Sequence, residues 1–143
     1  MKQIPFRIVN LQVEYFNLTD NKPQEGKSIE VNTSYEFGVN TEEHLVMARL
    51  TYKYLQDNVE LLQMSLISTF DVKPDEFKTM IDGNKFTLEP FFSRYLATIN
   101  VGAARGEIHA RCEQVNSELA NIILPPINLV EALPEPIEIE VQQ

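Results

Sequence analysis

Residues 28–40 read Ser-Ile-Glu-Val-Asn-Thr-Ser-Tyr-Glu-Phe-Gly-Val-Asn. Ile29, Val31, Tyr35, Phe37 and Val39 alternate with Glu30, Asn32, Ser34 and Glu36. A period of two over this length predicts a strand with one buried and one wet face. Working outward, Asn40-Thr41-Glu42-Glu43 is a polar turn. From His44 to Gln56, Val46, Ala48, Leu50, Tyr52 and Tyr54 then oppose Arg49, Thr51 and Lys53. Gln56-Asp57-Asn58 turns the chain again. Val59 to Val72 follows with Leu62, Met64, Leu66 and Phe70 against Gln63, Ser65 and Thr69. Upstream, Ile8 to Leu18 places Val9, Leu11, Val13 and Tyr15 opposite Asn10, Gln12 and Glu14. Four strands joined by short or medium loops make an antiparallel sheet, and its one apolar face needs a cover.

The rest of the chain supplies that cover. Pro74, Asp75 and Glu76 open a short helix and Gly83 follows it, with Phe77, Met80 and Ile81 on one side. Thr87 is the expected N-cap of the next helix, with Pro90 in its first turn. That helix runs to about Ser117, with a break expected near Asn100-Val101-Gly102. Val101, Ala104, Ile108, Cys112, Val115 and Leu119 form an apolar stripe at steps of three and four. Gly102, Gly106 and Ala110 form a second stripe at steps of four. Each helix-interior glycine costs about 1 kcal/mol against alanine. Two on one face imply close packing on the sheet, or close helix contact across an oligomer interface. Pro125-Pro126 hold Ile122 to Asn128 extended. Pro134 and Pro136 end the expected domain, residues 1–133, and leave 134–143 as an acidic, mobile tail. The fold class is α+β: a four-stranded antiparallel sheet with helices packed on one face.

Composition narrows the function. With 21 acidic and 12 basic residues the net charge is -9, which disfavours nucleic-acid phosphates and anionic lipid as partners. One cysteine, Cys112, excludes an internal disulfide framework. The alternating N-terminus does not resemble a signal peptide, and no run of about 18 apolar residues occurs. A cytoplasmic location with no membrane insertion is the expectation.

Little in the sequence points to catalysis. His109, Cys112 and Glu113 lie close together on one helix, but metal sites need three or four supported ligands, and the thiol lacks an orienting third group. Gly102 to Gly106 falls in a helical pattern without the Lys-Ser/Thr end of a phosphate loop. No metal, cofactor or enzymatic activity is expected. Three features remain. The aromatic cluster Phe70, Phe77, Phe86, Phe91, Phe92 and Tyr95 sits where the sheet hands over to the helices. It either covers the sheet or leaves an apolar patch open to a partner. The small-residue stripe is the second. The third is the acidity of Glu14, Glu30, Glu36 and the tail, either a solvated surface or a docking site for a basic partner.

The order of elements resembles the SecB family of export and holdase chaperones. Leu124-Pro125-Pro126-Ile127-Asn128-Leu129-Val130-Glu131-Ala132-Leu133 is similar to that family's leucine-x-proline-valine-asparagine-phenylalanine-x-x-leucine segment after its long helix. Ala104-Arg105-Gly106-Glu107-Ile108 is similar to its alanine-arginine-glutamate helix onset, with Gly106 interposed. The resemblance implies an ATP-independent homotetramer, a dimer of dimers, that holds unfolded polypeptide in apolar grooves. It also implies delivery to the SecA motor through acids on the sheet. Glu14 falls on one such position, while Asn10 and Gln63 stand at two others. Divergent relatives serve antitoxins of toxin–antitoxin systems.

The expected client-binding residues are Phe70, Phe77, Met80, Phe86, Phe91, Phe92 and Tyr95. Glu14 is the expected motor contact, and Gly102, Gly106 and Ala110 the expected oligomer interface. The alternatives from other classes are a carrier of small hydrophobic ligands and a structural partner subunit.

Overall fold

The computed structural model describes residues 4–141; Met1 to Gln3 and the last two residues of the expected tail, Gln142 and Gln143, lie outside them. Strands β1 (Phe6–Leu18), β2 (Glu30–Asn40), β3 (Leu45–Gln56) and β4 (Val59–Val72) form an antiparallel sheet in the order β1-β4-β3-β2. Short loops dictate the β4-β3-β2 part of this order. β3 and β4 are joined by Asp57 and Asn58 alone, at φ 51° and 64°, the twist-matched geometry of a two-residue hairpin. Between β2 and β3, Asn40 Oδ1 accepts from the backbone N–H of Glu42 and Glu43, both at 3.1 Å, so an Asx turn closes the loop.

β1 departs from simple alternation. Its register against β4 slips between Ile8 and Asn10 and again between Val13 and Tyr15. Each slip is a bulge that flips the sides of all later residues. Phe6 and Ile8, then Leu11 and Val13, then Phe16 and Leu18 therefore stand opposite the inward-facing Val72, Phe70, Ser68, Leu66, Met64 and Leu62. Tyr15, expected inward from its parity, pairs with Ser65 on the face away from the helices, and Val9 is the extra residue of the first bulge; both are exposed.

The covering layer follows β4. α1 (Pro74–Thr79) stops a turn before Gly83, and Ile81–Asp82 pairs with Lys85–Leu88 as the hairpin β5–β6. Gly83, at φ 63°, occupies its two-residue turn. Thr87 consequently lies in a strand, and the cap of α2 (Pro90–Gln114) is Glu89. α2 is continuous, without the expected break. Asn100 turns its amide into the protein and Gly102 faces outward, so neither interrupts the backbone ladder. α2 ends because Asn116 takes φ 56°. Its N–H and that of Ser117 return to Glu113 O and Cys112 O at 3.1 and 2.9 Å, a Schellman closure with Asn where Gly is commoner.

Val101, Ala104, Ile108 and Cys112 are buried against the sheet, as is Leu119 in the following 3-10 turn (Glu118–Asn121). Val115 of the same expected stripe is 59% exposed. The core lies between α2 and the two central strands, with Val46, Leu50, Tyr52, Leu62, Met64 and Leu66 beneath Leu96, Val101 and Ala104. Asn100 is wholly buried there. Its Nδ2 donates to Ala48 O, Leu66 O and Ser68 Oγ at 3.2, 3.0 and 3.1 Å, and its Oδ1 accepts from Tyr52 Oη at 2.8 Å. A fully satisfied polar cluster of this kind fixes the register of helix on sheet.

After the extended segment comes α3 (Leu129–Ala132), and the chain does not then run free. Ile137–Glu140 is strand β7, paired antiparallel with β6. The two prolines in 134–136 delay this strand and do not end the fold. Ile137, Ile139 and Val141 pack against the core.

Candidate functional site

One helix cannot cover four strands. α2 lies over β3 and β4, and the inward sides of the edge strands are left as two open troughs. On the β1 side, Leu11, Val13 and Leu66 face Gly102, Ala103 and Gly106 across a trough of 530 Å³, with Glu107 and Arg111 at its rim. A Cβ added at either glycine would meet nothing within 4 Å. Gly102, Gly106 and Ala110 are thus exposed, which removes close packing on their own sheet as the reason for the glycines. Phe91 and Tyr95 continue this helix face, 42% and 58% exposed, and Ile8 and Leu11 are exposed on the strand beside it.

On the β2 side, Val31, Thr33 and Tyr35 form the floor of a trough of 510 Å³, and Pro125, Pro126, Ile127 and Ala132 form its wall. The wall is held by α2. Arg105 Nε donates to Leu124 O at 2.7 Å and its Nη2 to Pro125 O at 3.3 Å. Arg94 Nε donates to Leu133 O at 2.9 Å, and His109 Nδ1 lies 2.9 Å from Ala120 O. Pro125 and Pro126 have no N–H, so this segment cannot zip onto the edge of β2. Among the described residues, the outer edge of β2 therefore has no strand partner in its sheet.

The expected aromatic residues divide. Phe70, Phe77, Phe86 and Phe92 are buried in the core and cannot line a groove in this conformation. The reason is geometric: the face of β3 and β4 needs large side chains over it, and the β5–β6 hairpin presses Phe86 onto Phe77 with ring centroids 4.8 Å apart. Met80 is half-buried beside them. Phe91 and Tyr95 alone of the seven are exposed. Sequence reasoning missed Phe6, the hub of the second aromatic cluster, which meets Phe70, Phe92 and Tyr95 edge-on at 5.5 to 5.7 Å. It also missed the β2 trough. The Pro-Pro pair was visible, but nothing local sets residues 125–127 against residues 31–35.

Glu14 is at the second bulge, on the sheet face away from α2. Arg49 Nε and Nη2 grip its carboxylate at 2.7 and 3.2 Å, and Ser65 Oγ donates to it at 2.8 Å. The Arg49 guanidinium beside Glu14 holds its carboxyl below the ordinary value, against a smaller opposing effect of burial. Glu36 shares the same guanidinium at 3.5 Å, and Arg7 pairs with Asp71 toward the other end of β1. Glu14 is therefore a cross-strand clamp and not a free acid waiting for a partner. Cys112 is buried, which pushes its thiol up, and His109 turns to Ala120 and Glu113 instead. Among the described residues, no three His, Cys, Asp or Glu side chains group as metal ligands, and no helix is long and apolar enough to cross a membrane.

No family model matches the chain, and no curated protein matches it by sequence. Among solved structures, it superposes on the Mycobacterium tuberculosis Rv1957 SecB-like chaperone in complex with a ChAD peptide from the Rv1956 HigA1 antitoxin. The TM-score is 0.55 at 9% identity, over 85% of this chain and 90% of that one. The fold is SecB-like. At that identity the superposition speaks for the arrangement of sheet, crossover and long helix, and the troughs beside the helix are features of this chain's own side chains.

Proposed function

We propose that this SecB-like chain is an ATP-independent holdase that binds extended, unfolded polypeptide, with the β2 trough as the client site. The observation that carries the reading is the trough itself. It is lined mostly by apolar side chains, opens to solvent, and is bordered by a strand edge that pairs, among the described residues, with no further strand of its sheet, beneath a proline wall that cannot pair with it. An extended client buries alternate side chains against Val31 and Tyr35 and offers backbone groups to the β2 edge. Each segment binds weakly, because ordering the client offsets much of the burial. Avidity over several copies supplies the remainder. We place the contact between copies on the β1 side, where Gly102, Gly106 and Ala110 leave the helix bare beside exposed Phe91, Tyr95, Ile8 and Leu11. A homotetramer built as a dimer of dimers fits this arrangement.

Service to an antitoxin is the favoured client assignment, because the structural neighbour was solved with an antitoxin peptide. Delivery to a SecA-type motor has less support, since Glu14 is already held by Arg49 and Ser65. A small-ligand carrier needs an enclosed cavity, and both troughs are open to solvent. No enzymatic role is proposed.

The test is suppression of aggregation of a chemically unfolded client without nucleotide. Wild type should suppress it at about stoichiometric ratios, and Val31→Asp with Ile127→Asp should lose the effect while keeping its oligomeric state. Equal suppression by both forms would move the client site elsewhere.

A further inference from the structure

β7 pairs with β6 in the register Lys85–Glu140, Phe86–Ile139, Thr87–Glu138 and Leu88–Ile137. Val141 N donates to Asn84 O at 2.8 Å. In an antiparallel ladder, hydrogen-bonded pairs alternate, so Phe86–Ile139 and Leu88–Ile137 are the next two. Phe86 and Leu88 therefore turn their backbone groups toward β7. Thr87 turns the other way and donates to Met80 O in front of β5, at 2.9 Å. The β7 segment has the pattern of an extended amphipathic peptide. Ile137 and Ile139 are half-buried, Glu138 and Glu140 are exposed, and Glu138 lies 3.4 Å from Lys85 Nζ. Its tether is exposed, and the prolines in it remove two of the N–H groups that could zip it in. β7 also abuts β2, and Ala132, just before the tether, lines the β2 trough.

We propose that β7 is a built-in occupant of a strand-addition site. The β6 edge accepts, when β7 leaves, an extended polypeptide with apolar residues at alternate positions and an acidic residue facing Lys85. The proposal rests on the holdase reading and deepens it, because the edge adjoins the trough. A client already held along β2 has a high effective concentration at β6 and can compete with a four-residue strand, whereas a free peptide competes poorly. The C-terminal strand thus acts as a gate that favours long clients over short ones.

The experiment uses the full chain and a labelled synthetic peptide with the sequence of residues 134–143. Ile137→Asp with Ile139→Asp weakens β7 without shortening the chain. Thr87→Cys with Glu138→Cys, a non-hydrogen-bonded pair, locks β7 when oxidised. The peptide should bind the released variant at least tenfold more tightly than wild type, and the oxidised lock at least tenfold more weakly than the same protein reduced. A released variant that folds yet binds the peptide no better than wild type would overturn the proposal. So would a released variant that no longer folds, which would make β7 an integral strand. Aggregation suppression separates the two readings. Wild type that is active, with a lock that changes neither peptide binding nor activity, keeps the holdase and removes the gate. Inactive wild type with peptide captured by the released variant does the reverse.

Discussion

Replacing Asn100 by Leu removes a wholly buried amide that α2 sends into the sheet. The substitution keeps the volume nearly constant, so the cost is electrostatic. Tyr52 Oη loses the acceptor it has at 2.8 Å, in a position with no solvent access. A buried hydroxyl left without a partner costs about 1–3 kcal/mol. Ser68 Oγ and the carbonyls of Ala48 and Leu66 lose a donor as well, each for about 0.5–1.5 kcal/mol at most. A total of about 2.5–7.5 kcal/mol follows, a large share of the stability of a domain this size. The assay is urea unfolding at fixed protein concentration, since association would shift the apparent stability. The double variant Tyr52→Phe with Asn100→Leu should recover about 1–3 kcal/mol relative to additivity, because it removes the orphaned hydroxyl too. A single-variant cost below about 1 kcal/mol with an additive cycle would refute the reasoning.

Tyr54 gives the opposite expectation. Its hydroxyl is buried without a hydrogen-bond partner among the described residues, and burial pushes its pKa up to about 12; Tyr54→Phe should be neutral or stabilising by about 1 kcal/mol in the same unfolding assay. Gly106→Leu should leave the monomer folded by circular dichroism, since a Cβ there meets nothing within 4 Å, while light scattering shows the assembly split. Phe77→Ser should cost about 3–5 kcal/mol by denaturation, because the ring is core and not groove. The Glu14 carboxyl is depressed by Arg49 below 4.5, so its contribution is full above that ordinary value and is lost as pH falls through the folded value. The stability gap between wild type and Glu14→Gln, from urea titrations at several pH values, should therefore narrow on acidification.

The four strands were legible because each buries one face, and that constraint writes alternation directly into the sequence. The bulges in β1 were not, because one extra residue changes parity without changing composition. Tyr15 looked inward by count and is outward in space, and Val9 is the extra residue of the first bulge. The continuity of α2 was hidden by Asn100 and Gly102, both poor helix residues taken singly. One is compensated by hydrogen bonds across the core and the other is on the open face. Pro134 and Pro136 masked β7, since prolines halt a strand locally and say nothing about the residues after them. The aromatic cluster was visible as composition, but which rings cover the sheet depends on the hairpin at Gly83-Asn84. The β2 trough depends on Arg105 and Arg94 reaching distant carbonyls, a long-range fact with no local signature.

The most direct measurement of client binding in the β2 trough is site-specific photo-crosslinking. A benzophenone amino acid is placed at Ile127, in the trough wall, and separately at Arg49, on the opposite face of the sheet. Each protein is mixed with a chemically unfolded client and illuminated. Adducts with the unfolded client from position 127, absent with the same client folded and absent from position 49, are the expected result. Adducts formed equally from both positions, or from position 49 alone, would contradict a client held in the trough.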